Sequence, residues 1–312
     1  MKLNETGIGI VLSFSLVTLC VLGAVDPMLS SIGAILGGGI LCALCIRHGF
    51  IWGGGVSVLS GIAAFFFSGM IAPALVSLSI IVGIGFVLAG CIHRAKSFHF
   101  TVTATIISVV AMNAVITLIG TYIQYGIITT QTILAPILDM ADSLYTPLFS
   151  GEGSQEALQE LKTIMANSYI GYTIVSGIVM AYFAFLFGRS ILKMVYKQNM
   201  QAYEVFDSFK ISQAGGIFFA GCFVAMLLVT SPVLKLACSN FIIIMSPIFL
   251  FGGLSLLKYF LTQFGVGRRG RTFVYIGVFL TGALPYFSLV NGTIALGVAD
   301  ALFNYRKLGQ DT

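Results

Sequence analysis

Ten apolar runs, most of them long enough to cross a lipid bilayer, dominate this sequence. A transmembrane helix needs about 20 predominantly apolar residues. The pattern therefore predicts an all-α fold, a polytopic transmembrane helix bundle with about ten spans. The predicted spans are Gly7–Ala24, Ser30–Ile46, Phe50–Phe67, Ile71–Ile92, Thr101–Tyr125, Tyr169–Phe187, Gly215–Thr230, Leu236–Leu256, Thr272–Leu284 and Tyr286–Phe303.

The composition excludes the main alternatives to a membrane protein. Apolar residues make up 58 % of the 312 residues and charged residues only 9 %, against about 25 % charged residues in soluble domains. Mean hydropathy is +1.01. These values exclude a soluble globular enzyme, a disordered chain and a secreted disulfide scaffold.

The last two spans form one apolar stretch, which we divide at Pro285 because helices tend to end before proline. Two full spans and a re-entrant pair both remain open for residues 272–303.

Basic residues orient the chain. With the N-terminus in the cytoplasm, all of the 16 Lys and Arg residues except Lys162 and Lys235 fall on the cytoplasmic side. Cytoplasmic loops of membrane proteins carry such an excess, so we expect both termini inside and a bacterial inner-membrane location. We interpret the net charge of +5 as a topology signal and expect no nucleic-acid partner.

One long polar segment, residues 126–168, separates two five-helix halves, residues 1–125 and 169–312. Apolar residues recur in it at helical spacing, which predicts two short amphipathic helices on the outer surface. We expect the first to start near Pro136 and the second to be capped by Ser154. The alternative is a lid over a pore or substrate cavity.

Two further features concern packing and the cytoplasmic surface. Glycine allows helices to approach closely in lipid, and we expect Gly53–Gly55 to lie against a neighbouring helix, so that Gly54→Leu would clash. The spacing of Tyr203, Phe206 and Phe209 predicts an amphipathic helix at the cytoplasmic interface.

Residues for catalysis or metal binding do not form a recognisable set. His48, His93 and His99 lie at cytoplasmic ends of predicted spans, and the Cys42-x-x-Cys45 pair lies inside an apolar run without a second pair. We therefore expect no enzymatic activity, no metal and no cofactor.

The candidate functional residues are polar side chains inside or beside the spans. Such groups are functional candidates by default, although amides also form interhelical hydrogen bonds. Neither Arg306 nor Lys307 is four residues from Asp300, so we expect the basic inner loop to supply its partner and to hold the last helix in place. The alternative role for Asp300 is proton coupling or a contact with a partner protein. The candidate pathway residues are Asn113, Gln124, Asn240, Asn291 and Asp300, and the candidate ion-pair partners are Arg268, Arg269 and Arg271.

Four sequence segments together resemble a known family. They are Arg47-His48-Gly49-Phe50-x-x-Gly53-Gly54, Phe206-x-x-Phe209-Lys210, Gly252-Gly253-Leu254 with Lys258-Tyr259-Phe260, and Gly297-Val298-Ala299-Asp300-x-x-Phe303-Asn304-Tyr305-Arg306-Lys307. The chain resembles the YybS-like family of uncharacterised bacterial inner-membrane proteins. That resemblance implies a fold-level likeness to the substrate-capture subunits of energy-coupling-factor transporters.

Two functions stay open at this point. The first is a transporter-like subunit that binds a small-molecule solute and depends on ATPase subunits in other chains, because the sequence has no Walker motif. The second is a non-catalytic assembly or scaffold subunit of a larger envelope complex. Both place the chain in contact with the lipid bilayer and with other membrane subunits.

Overall fold

A computed structural model describes residues 5–145, 154–197, 209, 211–281 and 289–306. Within these ranges every regular element is an α-helix. The helices are α1 Glu5–Val25, α2 Pro27–His48, α3 Phe50–Ser68, α4 Ile71–His93, α5 Phe98–Tyr125, α6 Thr130–Tyr145, α7 Ser154–Met194, α8 Gln213–Leu228, α9 Pro232–Gln263, α10 Arg268–Thr281 and α11 Leu289–Phe303.

Seven helices in the described ranges are long and apolar enough to cross a membrane, namely α1–α5, α7 and α9. They coincide with seven of the ten predicted spans. The other three predicted spans correspond to α8, α10 and α11, with 16, 14 and 15 residues. The count of ten spans and their orientation stay predictions, and the predicted break at Pro285 lies outside the described residues.

The segment of residues 126–168 differs from the prediction at two points. Helix α6 begins at Thr130, and Pro136 lies inside it, whereas we expected the helix to start near that proline. Helix α7 begins at Ser154 as expected, but it continues without interruption to Met194. The second predicted surface helix is therefore the first part of a 41-residue helix, because no glycine or proline separates Ser154 from the sixth predicted span.

The described residues fall into two compact units. The first comprises residues 1–162 and 176–203, and the second comprises residues 163–175 and 204–312. In the first unit, α2 packs closely against α4, and their fully buried side chains include Leu41, Leu44, Ile81, Ile84 and Leu88. Glycines allow this approach, since a Cβ added at Gly85 would lie 2.7 Å from the Leu41 side chain.

The glycine triplet at the start of α3 packs through its first member alone. Gly53 is buried, and an added Cβ would overlap the Cys45 Sγ atom of α2. Added Cβ atoms at Gly54 and Gly55 would have no neighbour within 4 Å. The expectation that Gly54 lies against a helix is therefore wrong. Successive residues of a helix point about 100° apart, so one neighbour cannot cover all three.

This difference predicts opposite outcomes for two adjacent substitutions. Gly53→Leu must displace Cys45 and Leu41, and we expect it to lower the free energy of unfolding by about 1–3 kcal/mol. Gly54→Leu adds the same volume where nothing obstructs it and is the matched control. Unfolding midpoints in detergent test this, and equal midpoints for the two variants would contradict the packing of Gly53.

Candidate functional site

Three of the four segments singled out in the sequence meet in the second unit. Gly252 and Gly253 lie in the middle of α9, Gly297 and Asp300 lie in α11, and Phe209 precedes α8. The described contacts bring residues of all three segments together with Arg306. We treat this region as the candidate functional site.

Helices α9 and α11 meet at glycines. A Cβ added at Gly253 would overlap the carbonyl oxygen of Thr293, and one added at Gly297 would overlap the carbonyl oxygen of Phe249. Both obstructing atoms belong to backbone, which cannot move aside as a flexible side chain can. The helices therefore depend on glycine at these positions, as in close helix pairs within membranes.

Beside this contact, Asp300 and Arg306 form a buried ion pair. Arg306 donates to Asp300 Oδ2 from Nε at 3.0 Å and from Nη2 at 2.6 Å. The Asp300 side chain is only 6 % exposed and the Arg306 side chain only 1 %. Removing two charges from a polar solvent is costly, so such a pair persists only when further hydrogen bonds satisfy its remaining groups.

Arg306 meets this requirement through two additional acceptors. Its Nη1 atom donates to the hydroxyl of Ser255 in α9 at 2.6 Å, and Nη2 donates to the carbonyl oxygen of Phe209 at 2.7 Å. One guanidinium group thus joins α11, α9 and the segment before α8. The planar fork of arginine suits this arrangement, which the ammonium group of lysine cannot reproduce.

Asp300 keeps one acceptor atom. Its Oδ1 atom is buried and has no hydrogen-bond partner among the described residues. A carboxylate oxygen can accept more than one hydrogen bond, so this atom has unused capacity to accept a hydrogen bond. This atom is the chemically open feature of the site.

The partner of Asp300 corrects the prediction. We expected Arg268, Arg269 or Arg271, but Arg306 is the partner, whereas Arg271 donates to the Thr262 hydroxyl at 2.6 Å. Helical spacing does not apply to this pair, because α11 ends at Phe303 and Asn304 has a positive φ of 49°. The chain turns there, and Arg306 can reach the carboxylate six residues earlier. Asparagine tolerates this left-handed conformation better than most residues.

The Asn240 side chain forms hydrogen bonds to the backbone of another helix. Its Oδ1 atom accepts from the Gly171 N–H at 2.8 Å, and its Nδ2 atom donates to the Asn167 carbonyl oxygen at 2.9 Å. The amide thus bridges one turn of α7 from α9. Gly171 permits the approach, since an added Cβ would lie 2.9 Å from the same Oδ1 atom.

The other candidates are less enclosed. Asn113 is half-buried, whereas Gln124 and Asn291 are exposed. No described contact joins Asn291 to Asp300, although both lie in α11. Their functional assignment stays a prediction.

The amide bridge predicts a difference between two asparagines of the second unit. Asn240→Leu removes the hydrogen bonds of the amide to the Gly171 N–H and to the Asn167 carbonyl oxygen, and we expect a loss of about 1–3 kcal/mol in unfolding free energy. Asn291→Leu, at an exposed position of α11, should change stability by less than about 0.5 kcal/mol. Parallel denaturation in detergent measures both, and equal losses would contradict the bridge.

The fourth singled-out segment lies in the first unit, at the end of α2. Arg47 pairs with Glu5 and its guanidinium lies 5.7 Å from the ring centre of Tyr196. His48 is 3.0 Å from the Tyr196 hydroxyl. Burial raises the pKa of Tyr196, against the opposing effect of Arg47. These contacts connect the ends of α1 and α2 to the residues that follow α7.

Within the described ranges, no group of three or more His, Cys, Asp or Glu side chains could hold a metal ion. All six cysteines are free and buried. The described residues thus offer an ion pair and an open carboxylate oxygen as the chemistry of this site.

Comparison with known protein families matches residues 14–301 to the predicted membrane proteins designated DUF2232. The chain belongs to the DUF2232 family. Asp300 and the glycines of the α9–α11 contact lie inside the matched region, whereas Arg306 follows it. No curated protein and no solved structure matches the chain.

Proposed function

We propose that this DUF2232 protein is a transporter-like subunit of the bacterial inner membrane that binds a small solute. The observation that carries the proposal is the open Oδ1 atom of Asp300, buried beside Arg306 and without a partner among the described residues. Ionisable groups among membrane helices usually mark pathways, relays or ligand sites. The proposal assigns no catalytic step to this chain.

The chemistry of the open atom restricts the solute. Arg306 already compensates the charge of Asp300 and also binds Ser255 and Phe209. The remaining acceptor therefore favours a molecule that presents a hydroxyl, amide or amine donor. Energy for uptake would come from other chains, in agreement with the resemblance to YybS-like proteins and to substrate-capture subunits of energy-coupling-factor transporters.

Native mass spectrometry of the full-length protein, purified in mild detergent, tests the proposal. We expect a bound small molecule in the wild-type spectrum and its loss in Asp300→Asn, which replaces an acceptor atom and removes the charge. Ser255→Ala is the matched control, because it weakens the same ion-pair network but keeps the carboxylate. Retention of the molecule in Asp300→Asn, or its loss in both variants, would contradict a role for Asp300 Oδ1 in binding.

A scaffold subunit is the second candidate. Two contacts favour it, namely the backbone contact of α9 with α11 and the amide bridge from Asn240 to α7. Both hold helices together and leave these groups unavailable to a solute. A scaffold would co-purify with membrane partners and would carry no bound solute. The same spectra distinguish the two functions.

A further inference from the structure

Helix α10 has one face that no other described element covers. Phe273, Ile276 and Leu280 are exposed, with 74 %, 48 % and 69 % of their surface accessible. The opposite side faces the protein, where Val278 is 3 % exposed and Arg271 donates to Thr262 of α9. The helix is thus attached along one side and open along the other.

Arg269 belongs to the open face. Positions 269, 273, 276 and 280 follow the spacing i, i+4, i+7 and i+11, which places them in one stripe along a helix. Arg269 is exposed. The stripe therefore has a cation at its first turn and apolar side chains along the rest of its length.

Among the described residues, no acidic side chain compensates the positive charge at this helix end. In the described residues Arg268 and Arg269 have no carboxylate partner, and Asp300, the sole acidic residue between positions 211 and 306, pairs with Arg306. The first turn of α10 contains no acidic residue. The N-terminal end of a helix carries partial positive charge, which repels the two arginines. A bound anion would offset both the arginine charges and this helix dipole.

The length of the stripe fits a lipid. Eleven residues of α-helix rise about 16 Å, and one leaflet occupies about half of the roughly 30 Å hydrocarbon core. An arginine fork binds a phosphodiester well, and acyl chains suit the exposed Phe273, Ile276 and Leu280.

We propose that the stripe formed by Arg269, Phe273, Ile276 and Leu280 binds an anionic phospholipid, with the headgroup phosphate at Arg269 and the acyl chains along α10. The site is separate from the ion pair of Asp300 and does not depend on the proposed function. A specific lipid would fix α10 at a defined depth and hold it against α9.

The test uses the full-length protein in nanodiscs of phosphatidylcholine that contain increasing amounts of phosphatidylglycerol, with bound phosphatidylglycerol counted by native mass spectrometry. We expect Arg269→Gln to weaken binding about tenfold, because it removes charge-assisted hydrogen bonds from the guanidinium group to the lipid phosphate. Arg94→Gln removes an exposed arginine after α4 and should change binding by less than about twofold, because general surface attraction is shared among many charges.

Three results would overturn the proposal. Equal losses in Arg269→Gln and Arg94→Gln would indicate general surface charge. Competition by soluble glycerol phosphate as effective as that by phosphatidylglycerol would indicate a phosphate site without acyl contacts. Assembly of the protein through this stripe, detected as a dimer that Leu280→Ser dissociates, would assign the face to a second copy of the chain.

Discussion

Arg306→Met should be among the most destabilising single substitutions in the second unit. Methionine approximates the length of the arginine stem but leaves Asp300 buried without its cation and removes the donors to Ser255 and Phe209. Breaking a buried ion pair from one side costs about 3–5 kcal/mol. Unfolding of purified protein in detergent, followed by circular dichroism, measures the loss.

Two further arginine variants make this result specific. Arg306→Lys keeps the charge but cannot reach the same three acceptors, so its stability should lie between wild type and Arg306→Met. Arg268→Gln removes an exposed charge and should change stability by less than about 0.5 kcal/mol. Wild-type stability in Arg306→Met would contradict the assignment of the buried pair.

The second large effect is expected at Gly297. Leucine at this position must separate the α11 backbone from the carbonyl oxygen of Phe249, and neither backbone can relax as a side chain would. Overpacking of a close contact typically costs about 1–3 kcal/mol and sometimes more, and we expect the upper part of that range here. Loss of folded protein on size-exclusion chromatography, or a lowered unfolding midpoint, measures it.

Gly292 supplies the control on the same helix. An added Cβ there would have no neighbour within 4 Å, and leucine favours a helix more than glycine does, so Gly292→Leu should not lower the midpoint. If both variants lost stability alike, the loss would come from the leucine side chain in general and not from the obstruction at Gly297. The contact between α9 and α11 would then have no support.

Hydropathy alone predicted much of the fold. Seven of the ten apolar runs are helices of spanning length, because burial in lipid requires long apolar segments with internally satisfied backbone groups. Hydropathy was less informative about where a helix begins, because the polar first part of a helix can lie outside the apolar run. Helix α7 continues from the polar residues after Ser154 into an apolar span, since a helix needs no change of geometry where it enters a membrane.

Asp300 and the glycines could be selected from the sequence, but their contacts could not. The triplet at residues 53–55 offered three equivalent glycines, and the direction of the neighbouring α2 helix determines that only Gly53 is obstructed. The pairing of Asp300 with Arg306 depends on a single left-handed residue, Asn304. An asparagine near a helix end is the available signal for such a turn, and it would have favoured Arg306 over the more distant basic loop.

A double-mutant cycle at Asp300 and Arg306 tests most directly whether this pair holds the second unit together. The variants are Asp300→Asn, Arg306→Met and the double substitution, with unfolding free energies measured in one detergent. Since each single variant leaves one polar group buried without its partner, we predict that the double variant loses about 2–3 kcal/mol less than the sum of the two single losses. Losses that add to within about 0.5 kcal/mol would mean that the two side chains act independently, and the account of the site would be wrong.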